Sequence, residues 1–350
     1  MSTKFVHNLI IRAIRIKIFM RRFIRTADLK KNILYAVVFL VILLPITVSI
    51  FEDKIIRASH SPSQNPSHNT NQSPSYNGSQ EDISSYTPVY PAFGGIEDAN
   101  IPEELLSLRD DINSYIGKFS GKYGVYFIDL SSGYQFGINE EDEFIAASTV
   151  KIPINLYLFN KINNGTVNPE ELLTYTEADY EDGTGKILKE KMGTRYTIRQ
   201  LSRLSIQSSD NIATNMLIRY LNRKNIKNFM RELGGKIVDD EKNISCPKDM
   251  AVYMREVYNF CRNKGTLGKE LLDYFSNTEF NDRIPAMLPK DIRIAHKIGS
   301  NENVFHDVGI IYTNTPYILS IMSSDTIETE ATKVIANISK IVYDYVQKNT

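Results

Sequence analysis

Ser148 and Lys151 stand three residues apart near the start of a mainly apolar run, 144–159. Val150, Ile154 and Leu158, with Leu156 and Phe159 beside them, recur at helical spacing, so the run predicts a buried helix whose first turn carries both residues. Residues i and i+3 share a helix face, which brings the Lys151 amine within reach of the Ser148 hydroxyl. A serine hydroxyl becomes an effective nucleophile when a neighbouring base takes its proton, and a desolvated, neutral lysine can be that base. Taken alone, a Ser-x-x-Lys pair occurs by chance in many chains and is better explained by a helix-start serine and a surface lysine.

Two further segments change that balance. Ser209-Asp210-Asn211 lies between two helical patterns, and His296-Lys297-Ile298-Gly299-Ser300 ends the short extended run 292–295. Ser, Asp and Asn are also favoured helix N-caps, a role compatible with a chemical one. In order and rough separation, Ser148-Thr149-Val150-Lys151, Ser209-Asp210-Asn211 and Lys297-Ile298-Gly299 resemble the three motifs of serine β-lactamases and penicillin-binding proteins. The resemblance covers about 105–348. It implies that Ser148 attacks an amide or β-lactam carbonyl to form an acyl-enzyme, with Lys151 as base or proton relay. Ser209 falls where the family passes a proton to the leaving nitrogen. Asn211 falls where an amide contacts the lysine and the substrate's side-chain amide. Lys297 would stabilise negative charge and keep the local potential positive, favouring a neutral Lys151. Gly299 would let the strand approach substrate without an intervening side chain. The N–H groups of Ser148 and Ser300 are the expected oxyanion hole, worth about 10²–10³ in rate per donor. Asp210 is expected to be structural. No metal or organic cofactor is implied.

The departures from the family pattern are informative. Ile298 replaces the Thr or Ser whose hydroxyl helps bind a substrate carboxylate, with Ser300 as a possible substitute. The arginine that many β-lactamases carry on the following strand is missing from His306-Asp307-Val308-Gly309-Ile310, so carboxylate recognition is expected to be weakened. The deacylating glutamate of class A enzymes belongs in a Glu-x-x-x-Asn loop. Here segment 234–247 holds only Glu241 with Asn243, in too short a loop, and Asp239, Asp240 and Glu241 read most simply as a solvated turn. An acyl-enzyme without a base to activate water persists.

The surrounding pattern must position these groups. A helix over 101–116, strands over 122–130 and 134–138, helices over 212–221, 226–233, 247–261 and 267–275, strands over 292–297, 307–312 and 317–323, and a last helix over 327–347 are predicted. Two early strands, a helical middle and three late strands imply an α+β domain, with an antiparallel five-stranded sheet assembled from both ends and a helical subdomain. The family resemblance implies the same β-lactamase/transpeptidase-like architecture.

Ahead of this 101–350 domain, residues 1–32 are basic. They read either as an amphipathic helix on an anionic membrane or as a tail that only sets topology. Residues 33–51 carry no charge and are long enough to span a bilayer. The basic flank leaves the N-terminus in the cytoplasm and the catalytic domain outside, and the long n-region favours a retained anchor over a cleaved signal. Residues 52–100, rich in Ser, Asn, Pro and Gln, read as a disordered tether. Charges balance, 41 basic against 41 acidic, which gives no electrostatic case for nucleic acid. Cys246 and Cys261 are too few for a disulfide framework, though a single bridge between them is open. Three functions fit: β-lactam hydrolysis, D,D-peptidase chemistry on cell-wall peptides, or a non-catalytic β-lactam or muropeptide sensor. The oligomeric state is left open.

Overall fold

The computed structural model describes residues 102–349. The basic tail, the charge-free span and the tether lie outside the described residues. Among the described residues, no helix is long and apolar enough to cross a membrane.

Helix α1, Glu103–Ile116, starts at Pro102 with Glu103 and Glu104 in its first turn, where acids complement the helix dipole. Its buried stripe, Leu105, Leu108, Ile112 and Ile116, follows the i, i+3, i+4 spacing. The last helix, α8, Glu328–Lys348, buries Val334, Ile335, Ile338, Val342 and Val346 in the same way.

These stripes pack on one face of a five-stranded sheet. Its strands are β1 (Lys122–Asp129), β2 (Gln135–Ile138), β7 (Arg293–Asn301), β8 (Val304–Tyr312) and β9 (Tyr317–Ser324). Their order is β2-β1-β9-β8-β7, with every pairing antiparallel. Alternate residues supply two cores: Val125, Phe127, Leu319 and Ile321 face α1 and α8, while Tyr126, Ile128, Ile318 and Met322 face the helical subdomain. Burial on both faces explains why β8 and β9 read as apolar runs rather than alternations. The sheet is built from both ends of the domain, as the sequence predicts, and β7 is an edge strand.

The helical subdomain centres on α2, Lys151–Asn163, whose Ile152, Ile154, Leu156, Leu158 and Phe159 are all buried. Each such side chain contributes roughly 1.5–3 kcal/mol of burial. Pro153 sits in the first turn, where a backbone N–H has no intrahelical partner to lose. Around α2 lie α3 (Ile198–Gln207), α4 (Asn211–Leu221), α5 (Arg223–Glu232), α6 (Pro247–Asn263) and α7 (Gly265–Ser276). Asn155, buried mid-helix, ties three of these together. Its Nδ2 donates to Lys151 O (2.7 Å) and Ser205 Oγ (3.2 Å), its Oδ1 accepts from Ser202 Oγ (2.7 Å), and Ser205 Oγ meets Thr214 Oγ1 at 2.9 Å. That network fixes the Lys151 helix against the helices flanking Ser209.

Two short ladders escaped the sequence pattern: β3 (Phe144–Ile145) with β6 (Ile244–Ser245), and β4 (Leu172–Thr174) with β5 (Arg195–Thr197). Runs of two or three residues are too short to show a period. Both thiols are free, so the open Cys246–Cys261 bridge does not form.

Candidate active site

Ser148 is carried by a 3₁₀ turn, Ala147–Val150, that leads directly into α2 at Lys151. At three residues per turn, i and i+3 eclipse, so the turn sets Lys151 in line with Ser148 along the helix axis. The turn is pinned from both sides. Ala146 N donates to Asn243 O (2.9 Å), Asn243 Nδ2 to Ala147 O (3.0 Å), and Thr149 Oγ1 to Ala146 O (2.6 Å). Ala147 takes φ +48°, a left-handed conformation held only by such surrounding bonds.

The Lys151 amine does not hydrogen-bond to Ser148, contrary to the simplest reading of the spacing. Nζ donates to Ser209 O (2.7 Å), Asn211 Oδ1 (2.8 Å) and, more weakly, Ser209 Oγ (3.3 Å). Burial pushes its pKa down to about 7, against a smaller upward pull from the negative charges of Asp210 and Glu181. A neutral amine is therefore accessible near neutral pH.

Ser209 occupies φ +50° between α3 and α4, which turns its carbonyl toward Lys151. Thr184 Oγ1 donates to the same carbonyl (2.8 Å). Asp210 is structural, as expected: Oδ1 caps α4 by accepting from Ala213 N (2.9 Å), and Oδ2 accepts from Lys186 N (2.7 Å) and Ile187 N (2.8 Å). A Cβ on Gly185 would lie 2.4 Å from that carboxyl carbon, so only glycine lets the 182–187 loop close over the motif.

Lys297 enters from β7. Its buried Nζ donates to Ser209 Oγ (2.9 Å) and Ile298 O (3.0 Å). Burial, reinforced by the neighbouring Lys151 charge, pushes its pKa well below the ordinary lysine range. Ser209 Oγ is thus shared by two amines, and a proton on one disfavours a proton on the other. Hydrogen bonds bring the predicted residues Lys151, Ser209, Asn211 and Lys297 together from three stretches of the chain, and Ser148 stands on the turn that leads into Lys151. Gly299 is where β7 meets the nucleophile turn: a Cβ there would stand 3.1 Å from both Ala146 O and Thr149 Cγ2.

A cation that the motifs did not reveal backs this edge. Buried Arg283 donates through Nη1 to Gly299 O (2.8 Å) and His306 O (2.6 Å), and through Nη2 to Ser300 Oγ (2.6 Å). A buried positive charge therefore stands behind Gly299 and Ser300, supplied by the segment preceding β7 rather than by β8. Because Ser300 Oγ accepts from Arg283, its own proton is free to point outward from this exposed residue. Asp307 positions the arginine segment by accepting from Ile284 N (2.9 Å) and from His296 Nδ1 (2.9 Å). In sequence, Arg283 stands in a polar, loop-like stretch, and only its burial distinguishes it from a surface arginine.

The 239–243 segment is the solvated turn its composition predicts. Asp239 Oδ1 accepts from Glu241 N (2.9 Å) and Lys242 N (2.7 Å), while Glu241 itself is exposed. Arg231 bonds Asp240 (2.7 Å) and Asp249 accepts from Lys236 N and Ile237 N, so the short loop is anchored at both ends. Of the two acids whose charge Lys151 feels, Asp210 is bound by three N–H groups and Glu181 by Asn215 Nδ2 (2.8 Å).

The sequence model of the β-lactamase enzyme family matches residues 107–346. β-Lactamase VEB-1 of Pseudomonas aeruginosa is 24% identical over 280 residues, spanning 71% of this chain and 92% of its own. β-Lactamase 3 of Bacillus cereus is 23% identical over 253 residues, 64% of this chain and 79% of its own. Among solved structures, PBP-A superposes with a TM-score of 0.66 at 27% identity, covering 70% of this chain and 97% of that one. A Leu-to-Glu mutant of PBP-A, solved as an acyl-enzyme complex with penicillin G, gives 0.66 at 28% identity over 71% of this chain and 100% of that one.

Proposed function

Since this chain belongs to the β-lactamase enzyme family of serine hydrolases, we propose that it acylates Ser148 with β-lactams or D-Ala-D-Ala-like peptides and releases the acyl group slowly. The observation that carries this reading is the buried Lys151 amine, held between Ser209 and Asn211 with a pKa near 7, one 3₁₀ turn from Ser148.

Neutral Lys151 takes the Ser148 proton as Oγ bonds to the carbonyl carbon. The N–H groups of Ser148 and Ser300 stabilise the resulting oxyanion. As the C–N bond breaks, the proton passes through Ser209 Oγ, held between both lysines, to the leaving nitrogen. Lys297 stabilises negative charge on the substrate, and the Ser300 hydroxyl, backed by Arg283, receives its carboxylate. Asn211 orients Lys151 and the substrate's side-chain amide.

Release of the acyl group needs a base for water. Glu241 is exposed on the 239–243 turn, and Asp210 and Glu181 are engaged elsewhere. Slow release aligns the chain with penicillin-binding D,D-peptidases rather than with rapid hydrolases, as does its likeness to PBP-A. The full chain mixed with a chromogenic β-lactam and followed by intact mass should give one adduct, lost in Ser148→Ala, that outlasts the colour change. Rapid catalytic turnover would overturn slow release; no adduct and no colour would overturn the acylation itself.

The charge-free span 33–51 behind a basic tail supports an anchor with the hydrolase domain outside the cytoplasmic membrane. Protease added to intact spheroplasts should digest the domain, and its protection would refute this location.

A further inference from the structure

We propose that His306 is a positioning residue that sets the gap between the nucleophile turn and β7, and with it the width of the oxyanion hole. The inference rests on the acyl-enzyme reading above, because Ser148 and Ser300, the two N–H donors of that hole, lie on opposite sides of this gap.

His306 is fully buried and bonded in three directions. Nε2 faces Ile145 O at 2.7 Å, and Nδ1 accepts from Ser323 N at 3.0 Å. A carbonyl can only accept and a backbone N–H can only donate, so these partners fix a neutral ring protonated on Nε2. The His306 carbonyl accepts from Arg283 Nη1 at 2.6 Å. Along the ladder His306 is paired with Gly299, the residue next to Ser300. One residue therefore connects β9, the backbone beside Ser300, the arginine behind Ser300, and the strand that ends just before the nucleophile turn.

The surroundings leave little slack. A Cβ on Gly299 would stand 3.2 Å from His306 Cδ2 and 3.1 Å from Ala146 O, so ring, strand and turn are in contact. The Phe144 ring meets the imidazole edge-on with centroids 6.2 Å apart. A hydrocarbon of similar size would fill the space but leave Ile145 O and Ser323 N without partners. Burial pushes the His306 pKa down to about 4, so the bridging neutral form persists across the working pH range. Oxyanion donors act within a narrow window of about 2.7–3.1 Å, and a misplacement near 1 Å can reduce rate about 100-fold.

The test separates positioning from packing. His306→Phe keeps the ring and removes both polar atoms. His306→Gln offers an amide oxygen and nitrogen at about the spacing of the two ring nitrogens. In the full chain, stopped-flow acylation by a chromogenic β-lactam gives the acylation rate constant and the preceding dissociation constant separately. His306→Phe should lower the rate constant about 100-fold with the dissociation constant within about 3-fold, and His306→Gln should recover at least about 10-fold of the loss. His306→Met gives the same comparison if the Phe variant does not fold. Wild-type acylation in the Phe or Met variant overturns the inference, as does an equal loss in Gln with binding weakened in step. A wild type that forms no adduct overturns the acyl-enzyme reading itself, an outcome distinct from either.

Discussion

Lys151 Nζ lies 2.7 Å from the carbonyl oxygen of Ser209, 58 residues further along the chain. The lysine of the first motif is thus held by the second, in a buried position that brings its pKa to about 7. Only the neutral amine can accept the Ser148 proton. The acylation rate constant should rise with pH, reach half its maximum near pH 7 and level off above it, as measured by adduct formation in the full chain across pH 5–9. A rate independent of pH over that range would remove Lys151 from the role of base.

Glu181 gives this profile a handle outside the pocket. It is exposed and bonded to Asn215, yet its charge raises the Lys151 pKa. Neutralising it removes part of the pull that favours the protonated amine. Glu181→Gln should therefore move the acid limb to lower pH by a few tenths of a unit, an effect weakened by salt because the acid faces solvent. Acylation at pH 6 should rise while the plateau stays unchanged. A shift to higher pH would contradict the assigned electrostatics.

The pairing of Arg283 with Ser300 predicts where carboxylate selectivity resides. Ser300 Oγ accepts from a buried guanidinium, which leaves its own proton to donate. A hydrogen bond to a charged group contributes about 1.5–3 kcal/mol, or roughly 10–100-fold. In Ser300→Ala, the preference for a β-lactam acid over its methyl ester should fall by about that factor, with the ester's own rate little changed. Equal losses for acid and ester would instead assign Ser300 to general packing.

Much of this site was legible in the sequence because its motifs are local and ordered. Lys151, Ser209, Asn211 and Lys297 are joined by hydrogen bonds as the order of their motifs implied, and the solvated turn around Glu241 follows from its run of acids. The five-stranded sheet was readable from long apolar strands and amphipathic closing helices. What escaped depends on tertiary contact. The direction of the Lys151 amine is set by a carbonyl at φ +50°, and Arg283 resembles any loop arginine until the fold buries it. His306 offered no pattern at all, since its partners come from Ile145, Ser323 and Arg283.

The last expectation concerns acid stability. An unfolded histidine titrates near pH 6.5, whereas burial holds His306 near 4 in the folded chain, with the Arg283 charge adding to the shift. Between those values the unfolded chain binds a proton that the folded chain does not. Stability from this residue is complete above about pH 6.5 and declines as pH falls toward 4, by about 3 kcal/mol in all. Carboxylates such as Asp179, whose folded pKa is lowered, add their own loss at more acid pH, so the His306 contribution must be read as a difference. Urea unfolding of wild type and His306→Gln at pH 7, 5.5 and 4.5 should show the wild type losing more stability over this interval. Parallel curves would mean that the protonated ring is accommodated, with Ser323 N finding another acceptor.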